Sequence, residues 1–196
     1  MSDLFDYLNE GISDLHPYEP GRSIEDVIAE YQPEKIVKLA SNENPLGPSP
    51  KAVEALKIHN DDLHLYPDGD SKKLKSLIAK HESLDVSNII IGNGSNEVLE
   101  LAARAFLNKD TSALMSKHAF AVYKIVTQSN GSKIIEVPTI DWRHALNDFS
   151  NYIEDSTRVC FVANPNNPTG TYNSHDEFKS MMDSIPSSIL VILDLA

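Results

Sequence analysis

The chain has 196 residues, of which 41% are hydrophobic and 23% are charged, the composition of an ordinary globular protein. Its formal net charge is -12 and its pI is about 4.9, so the phosphates of a nucleic acid and anionic lipids would repel it. Cys160 is the only cysteine, which excludes an intrachain disulfide and fits a reducing compartment. Residues 1–15 lack the basic and apolar regions of a signal peptide, and no apolar run reaches membrane-spanning length. These features predict a cytoplasmic protein that binds neither nucleic acid nor membrane.

Residues 1–50 are irregular and rich in proline, which predicts an arm or a piece of a minor domain rather than a core of its own. Cap residues and apolar periodicity indicate a few short elements up to residue 88. In chain order these are a helix over 24–31 capped by Ser23 with Asp26 as reciprocal partner, a short strand over 36–39, a helix from Pro50 to about Lys57, and a helix capped by Ser71 that runs to about Glu82.

From residue 88 onward, short apolar runs alternate with amphipathic segments. Strands are predicted over 89–91, 112–115, 134–137, 158–163 and 189–193, and helices over 97–106, 119–129, about 144–152 and 174–184. This alternation indicates an α/β fold with a mostly parallel sheet and helices on both faces. Ligands of such sheets bind at the carboxyl ends of the strands, where each of the motifs below falls.

Residues 91–97 (IGNGSNE) lead from a predicted strand through a glycine turn into a helix. The free N–H groups and positive dipole end of that helix suit a phosphate, and Ser95 and Asn96 add side-chain donors. A tight turn in which Ser95 or Asn96 only caps the helix would explain the same residues. The spacing excludes a Walker loop, because no Gly-Lys-Ser/Thr follows, and it excludes a GxGxxG dinucleotide fingerprint.

Residues 164–170 (NPNNPTG) directly follow the predicted strand over 158–163. Their two X-Pro steps exclude both a helix and a strand ladder, so the chain must turn here in a defined shape. Asparagine amides held in a rigid turn are good neutral donors toward a ligand oxygen. A proline-stiffened loop that binds nothing is the alternative interpretation.

Asp194 ends the apolar run 191–193. A carboxylate at this place is costly to bury unless a cation or a donor faces it, and a protonated pyridine nitrogen would serve. An aspartate that caps the next element is the alternative.

Phe120 is an aromatic candidate, because an aromatic face could cover a flat heterocycle by offset stacking. By spacing alone, however, Phe120 and Tyr123 fit core-facing positions of a helix better.

Taken in chain order, these motifs resemble the fold-type I aminotransferases, which depend on pyridoxal phosphate, and most closely the histidinol-phosphate aminotransferase family. The similarity runs from about Tyr18 to the last residue. It rests on residues 38–50 (KLASNENPLGPSP), residues 65–69 (LYPDG), and the motifs at 92–97 and 166–170. The resemblance implies that residues 51–196 are the N-terminal part of the cofactor-binding large domain, preceded by residues 1–50 as an arm and minor-domain segment.

The resemblance also implies how this chain would hold the phosphate of the cofactor. Gly94, Ser95 and Asn96 would bind it, largely through backbone N–H groups. Tyr66 would reach the phosphate of the neighbouring subunit's cofactor, which implies a homodimer.

Four further residues receive roles around the cofactor ring and the substrate from the same resemblance. Phe120 would stack on the pyridine ring, where the family usually has a tyrosine, and Asn167 would donate to the phenolic oxygen of the ring. Asp194 would pair with the pyridine nitrogen and keep it protonated, so that the ring acts as an electron sink. Tyr18 would line the substrate pocket. These roles require Asp194 and the peptide nitrogens of 94–96 to lie on the same side of the sheet.

The reaction that the resemblance implies for the full-length protein exchanges an amino group between histidinol phosphate, a phosphorylated amino alcohol, and 2-oxoglutarate in histidine biosynthesis. The family's Schiff-base lysine has no matching motif among the lysines of this chain and is expected beyond Ala196. No catalytic residue is therefore assigned here, and the chain alone is expected to be inactive, because that lysine is both anchor and base. The alternatives are an aromatic amino-acid aminotransferase, a phosphothreonine decarboxylase, and a non-catalytic truncated copy.

A metal hydrolase or a nucleotide-binding protein is a third class of function. The seven histidines are scattered without the spacing of metal ligands, so no metal site is predicted. The run 189–193 has the composition of an interior strand. We therefore expect an uncovered sheet edge and apolar surface there, and an isolated chain that is poorly soluble or dependent on a partner.

Overall fold

The structure is a computed structural model that describes residue 8 and residues 11–18, 21–58 and 63–195. Internal contacts divide the chain into two compact units, residues 1–18 with 92–196 and residues 19–91. The sequence-based boundary at residue 50 concerns the domains of the whole protein and stays a prediction. No helix of the described residues is long and apolar enough to cross a membrane.

The unit formed by residues 19–91 is helical. It contains α1 (Ile24–Tyr31), α2 (Pro50–Ile58), α3 (Lys72–Glu82) and a 3₁₀ helix (Val86–Asn88). The Ser23 cap of α1 is confirmed, because its side chain accepts a hydrogen bond from the backbone N–H of Asp26, but the reciprocal bond to the Asp26 carboxylate is not among the hydrogen bonds of the described residues.

The strands predicted at 36–39 and 89–91 are wrong, since both segments are irregular in the structure. Val37 and Leu39 are exposed. A strand depends on a neighbour that satisfies its N–H and C=O groups, and no strand of the described residues pairs with either segment.

The cap of α3 also differs from the prediction. Ser71 has a left-handed backbone conformation (φ 50°) and makes no side-chain cap. The Asp68 carboxylate instead accepts from the backbone N–H of Lys72 at 2.9 Å and of Asp70 at 3.1 Å. These hydrogen bonds lower the pKa of Asp68, because they favour its charged form.

The other unit contains a four-stranded parallel sheet, which lies in its part beyond residue 92. Its strands are β1 (Ser112–Ser116), β2 (Lys133–Val137), β5 (Thr157–Ala163) and β6 (Leu190–Asp194), and their order across the sheet is β2–β1–β5–β6. A separate antiparallel hairpin pairs β3 (Thr139–Ile140) with β4 (Arg143–His144). The helices are α4 (Ser95–Phe106), α5 (Ala121–Ser129) and α6 (His175–Ser184), with a 3₁₀ helix at Leu146–Tyr152.

Helices cover both faces of this sheet, which confirms the predicted α/β fold class. Alternate residues of each strand point to opposite sides. A first core joins α4 and α5 to one face, and its strand residues are Ala113, Met115, Val159, Phe161 and Ala163. A second core joins α6 and the Leu146–Tyr152 helix to the other face, and its strand residues are Leu114, Ile135, Val137, Cys160 and Val162.

The helix predicted over about 144–152 is wrong at its start. His144 lies in β4, where it pairs with Thr139, and it is buried rather than on a helix surface. The segment that follows is a 3₁₀ helix, which presents Leu146 and Phe149 to the second core. These two residues are three apart, a spacing that fits a 3₁₀ helix as well as an α-helix.

β6 has one neighbouring strand among the described residues, β5. Leu193 and Leu195 are exposed beside that edge. Within 189–193 the expected apolar surface is limited to Leu193, because Ile189 is buried and residues 190–192 are half-buried.

The adjacent methionines of α6 give a matched test of the second core. Met181 is fully buried there, whereas Met182 is 42% exposed. We expect Met181→Ala to lower the free energy of unfolding by about 2–5 kcal/mol, because it leaves a cavity. Met182→Ala changes helix propensity equally and should cost less than about 1 kcal/mol. Urea unfolding followed by circular dichroism measures both, and equal costs would contradict this assignment of the core.

Candidate functional site

The strand order creates a topological switch point between β1 and β5. From β1 the chain moves to β2 on one side and then returns to β5 on the other side. The connections that leave β1 and β5 therefore diverge, which opens a crevice at their carboxyl ends. Phe120 and Asn167 follow the carboxyl ends of β1 and β5, and Asp194 is the last residue of β6, so the topology brings these three to one edge of the sheet.

The amino end of α4 carries the predicted phosphate-binding residues. Gly94 occupies the cap position with φ 79°, a conformation that favours glycine, and makes no side-chain cap. The first N–H groups of α4 therefore lack a side-chain partner at the cap. A methyl group added at Gly94 would meet nothing within 4 Å, and Ser95 and Asn96 are exposed. The Glu97 carboxylate accepts a hydrogen bond from the backbone N–H of Asn93, at 2.5 Å between nitrogen and oxygen.

Asp194 and α4 belong to the same face of the sheet. Within β6, Val191 packs against the second core and Ile192 against the first, so alternation directs Asp194 toward the first core. α4 contributes Leu99 and Ala103 to that same core. Only residues 107–111 join α4 to β1, so α4 runs antiparallel to the strands and its amino end points toward their carboxyl edge. Asp194 and the peptide nitrogens of 94–96 therefore lie on the same side of the sheet, as a shared ligand requires.

The Asp194 carboxylate is held by Tyr123, for which the sequence pattern indicates only a position in the core. Tyr123 Oη donates a hydrogen bond to Asp194 Oδ2 at 2.8 Å. The Tyr123 ring is fully buried and stacks on Phe161, with 4.8 Å between centroids and 9° between planes. Burial, and then the bond to Asp194, raise the pKa of Tyr123, so it remains a neutral donor. A buried tyrosine hydroxyl usually has a hydrogen-bond partner, and this is the signal in the sequence that points to a polar role for Tyr123.

Three aromatic rings form a chain beside this carboxylate. Phe120 precedes α5 and meets the Tyr123 ring edge to face, at 5.7 Å between centroids. Tyr18 meets Phe120 edge to face at 6.3 Å. The structure therefore brings Tyr18 to Phe120 and links Phe120, through Tyr123, to Asp194.

The asparagine turn separates its two central amides. Asn166 is buried, and its Nδ2 donates to the His118 carbonyl oxygen at 2.8 Å and to Thr169 Oγ1 at 2.7 Å. Asn167 is half-buried, and its side chain makes no hydrogen bond within the described residues. Asn166 therefore shapes the turn, whereas the amide of Asn167 is available to a ligand.

Tyr66 lies in the other compact unit, where its side chain is fully exposed. Its predicted role concerns a neighbouring subunit and stays a prediction.

Comparison with known proteins decides the family. The family model described as aminotransferase class I and II matches residues 34–196, which is more than half of the chain. The chain belongs to the aminotransferase class I and II family. The sequence-based resemblance is thereby confirmed.

Several relatives in this family share substantial sequence identity with the chain. Histidinol-phosphate aminotransferase 2 of Pseudomonas fluorescens (strain Pf-5) is 46% identical over 188 residues, which cover 95% of this chain and 51% of that protein. Histidinol-phosphate aminotransferase of Methylobacillus flagellatus is 44% identical over 198 residues, covering all of this chain and 54% of that protein. The chain thus spans about half the length of the curated relatives it matches.

Solved aminotransferase structures share the fold. Histidinol-phosphate aminotransferase from Sinorhizobium meliloti, in complex with pyridoxal-5'-phosphate, aligns with a TM-score of 0.85 at 22% identity, over 98% of this chain and 51% of that one. The histidinol-phosphate aminotransferase from Clostridium acetobutylicum aligns with a TM-score of 0.68 at 24% identity, over 80% and 46%. At this level of identity the likeness concerns the fold alone.

In this aminotransferase chain, Tyr123→Phe should lower the free energy of unfolding at pH 7 by about 1–3 kcal/mol, because Asp194 loses its donor. The loss should shrink above about pH 10, where an unfolded tyrosine ionises but the folded Tyr123, with its raised pKa, keeps its proton. The wild type therefore loses the stabilisation that the Tyr123 hydroxyl provides as the pH rises, whereas Tyr123→Phe has no such stabilisation to lose.

Urea unfolding at pH 7 and at alkaline pH measures the Tyr123 effect. Tyr172→Phe alters an exposed tyrosine and serves as the control, with an expected change below about 0.5 kcal/mol at either pH. A Tyr123→Phe difference that stays constant across this pH range would refute the assignment.

Proposed function

We propose that this chain forms the cofactor-binding part of a pyridoxal-phosphate-dependent aminotransferase that acts on histidinol phosphate and 2-oxoglutarate in histidine biosynthesis. The family and the 44–46% identity to proteins of that name support the reaction and the substrate. The observation that carries the proposal is the Asp194 carboxylate, held by Tyr123 on the face of the sheet that α4 also covers.

The residues of α4 fit the phosphate of this cofactor. Its first N–H groups have no side-chain partner at the cap, and Gly94 leaves open space above the turn. The positive end of the helix dipole favours an anion there. Gly94, Ser95 and Asn96 would therefore hold the phosphate with neutral donors, in a chain whose overall charge of -12 repels anions.

The residues at the strand ends fit the ring of the cofactor. Phe120 would cover one face of it, and the free amide of Asn167 would donate to its phenolic oxygen. Asp194, kept in place by Tyr123, would face the pyridine nitrogen and stabilise its proton. When bound, the cofactor supplies an electron sink for the carbon from which the substrate loses a proton.

The remaining parts of the proposal concern the whole protein. Tyr18, in contact with Phe120, would line the substrate side of the ring. Tyr66 would reach the cofactor phosphate of a second subunit in a cytoplasmic homodimer. No lysine of this chain matches the family's attachment motif, so we expect that lysine in the part of the relatives that this chain does not span.

Asp194→Asn tests the proposal in the full-length enzyme. The substitution keeps the shape and removes the charge that favours a protonated ring nitrogen. A facing charge of this kind shifts a pKa by roughly 1–3 units, so we expect kcat/KM for histidinol phosphate to fall about 10–1,000-fold. Coupled assays of glutamate formation from 2-oxoglutarate measure this.

Asp155→Asn, at an exposed aspartate outside the site, is the matched control and should retain full activity. If the wild type turned over phenylalanine and not histidinol phosphate, the proposed substrate would be wrong, but the proposed reaction class, transamination, would stand. A full-length wild type that binds no pyridoxal phosphate would overturn the proposal as a whole.

A further inference from the structure

A buried histidine bridges the carboxyl ends of the two strands at the switch point. His144 is 3% exposed. Its Nδ1 lies 2.6 Å from Oγ of Ser116, the last residue of β1, and its Nε2 lies 2.8 Å from the carbonyl oxygen of Ala163, the last residue of β5. One side chain from the hairpin strand β4 therefore spans the place where the crevice opens.

The partners of His144 fix its protonation state. A carbonyl oxygen can only accept, so Nε2 carries the proton and donates to Ala163. Nδ1 then accepts the hydroxyl proton of Ser116, which is itself fully buried. Burial lowers the pKa of His144, and the bond to Ala163 offsets this only in part. The imidazole is thus a neutral group with one donor and one acceptor, each matched.

The same network reaches the third strand end. Asn173 Nδ2 donates to the His144 carbonyl oxygen at 3.0 Å. The Asn164 side chain donates to the Asn173 carbonyl oxygen and accepts from the Asn173 N–H, both at 2.9 Å. The backbone N–H of Asn164 donates to the Asp194 carbonyl oxygen at 2.9 Å. We call Ser116, His144, Ala163, Asn164 and Asn173 the carboxyl-edge clasp.

We propose that His144 is a positioning residue that, through the carboxyl-edge clasp, sets the spacing of the segments bearing Phe120, Asn167 and Asp194. Phe120 is four residues beyond Ser116, and Asn167 is four residues beyond Ala163. Among the described residues, the side-chain hydrogen bonds of His144 go to Ser116 and Ala163 and not to Phe120 or Asn167, so its effect on the site passes through the strand ends. The assignment of a cofactor to this edge rests on the proposed function, whereas the clasp itself does not.

The chemistry of the clasp makes a sharp prediction about substitutions. Leucine fills similar space but leaves the Ser116 hydroxyl and the Ala163 carbonyl buried without partners. Glutamine restores one neutral donor and one acceptor on the same side chain. His144→Leu should therefore disrupt the edge, and His144→Gln should rescue it.

Amide hydrogen exchange of the full-length protein without cofactor reports on the clasp directly. The reporter amides are those of Ala119, Asn164, Asn166 and Asn173, all hydrogen-bonded at this edge. We expect His144→Leu to speed their exchange about 10–100-fold, as the loss of buried hydrogen bonds implies, and His144→Gln to keep them within about threefold of wild type. Ser116→Ala should act in the same direction, and provides the test if His144→Leu does not fold.

Transamination by the same variants reports on the positioning role. A displacement of about 1 Å at the reacting groups can cost roughly 100-fold in rate, so kcat should fall about 10–100-fold in His144→Leu and recover in His144→Gln. Met181→Ala, which destabilises the second core but removes no hydrogen bond of the clasp, is the matched control. It should leave kcat unchanged and should not speed exchange selectively at the four reporters.

The outcomes separate the two proposals. Unchanged reporter exchange in both His144→Leu and Ser116→Ala overturns the clasp. Faster exchange with unchanged kcat overturns the positioning role, as does a His144→Gln variant that behaves like His144→Leu. A wild type that binds no pyridoxal phosphate, measured by equilibrium dialysis, overturns the proposed function while the exchange arm still tests the clasp.

Discussion

The hydrogen bond from Tyr123 to Asp194 is the interaction on which the candidate site depends. A carboxylate beside an apolar core is costly unless a donor faces it. Here the donor belongs to a ring packed flat against Phe161 in the middle of the sheet. The position of the acid is therefore set by core packing rather than by a mobile loop. Phe120, at the start of the same helix, shares this support, so one element orients both the charge and the ring that would cover the cofactor.

Two kinds of interaction hold this unit together, and they occupy different places. Apolar side chains on alternate strand positions join the sheet to helices on both faces. Polar side chains are concentrated where the strands end, because that is where backbone groups leave the ladder and need other partners. The carboxyl-edge clasp meets that need at β1, β5 and β6 together. A fold of this type must satisfy its strand ends in any case, and here the satisfying groups also flank the candidate site.

The sequence predicted those parts of the fold that depend on local pattern. Strands β1, β2, β5 and β6 are recognisable as short apolar runs, and helices α4, α5 and α6 as periodic segments, the last beginning at the cap residue Ser174. The strand predictions at 36–39 and 89–91 are wrong, because a strand forms only beside a neighbouring strand that satisfies its backbone hydrogen bonds. The roles of Tyr123 and His144 were out of reach for the same reason. The partner of Tyr123 lies 71 residues away, and the partners of His144 lie 28 and 19 residues away.

The donors at this edge of the sheet are neutral, and the cost of burying charged groups gives a physical reason for this. The chain carries a formal net charge of -12, yet its proposed ligands are a phosphorylated cofactor, a phosphorylated substrate and a dicarboxylate. Helix N–H groups, asparagine amides and a neutral imidazole can face such anions or shape their pocket without the cost of burying a further ion. Asp194 is the exception, and a cationic group facing it would complement its charge beside the Tyr123 hydroxyl. An edge built from neutral donors around one carboxylate is thus consistent with the proposed ligand, a flat ring that is anionic at one end and protonated at the other.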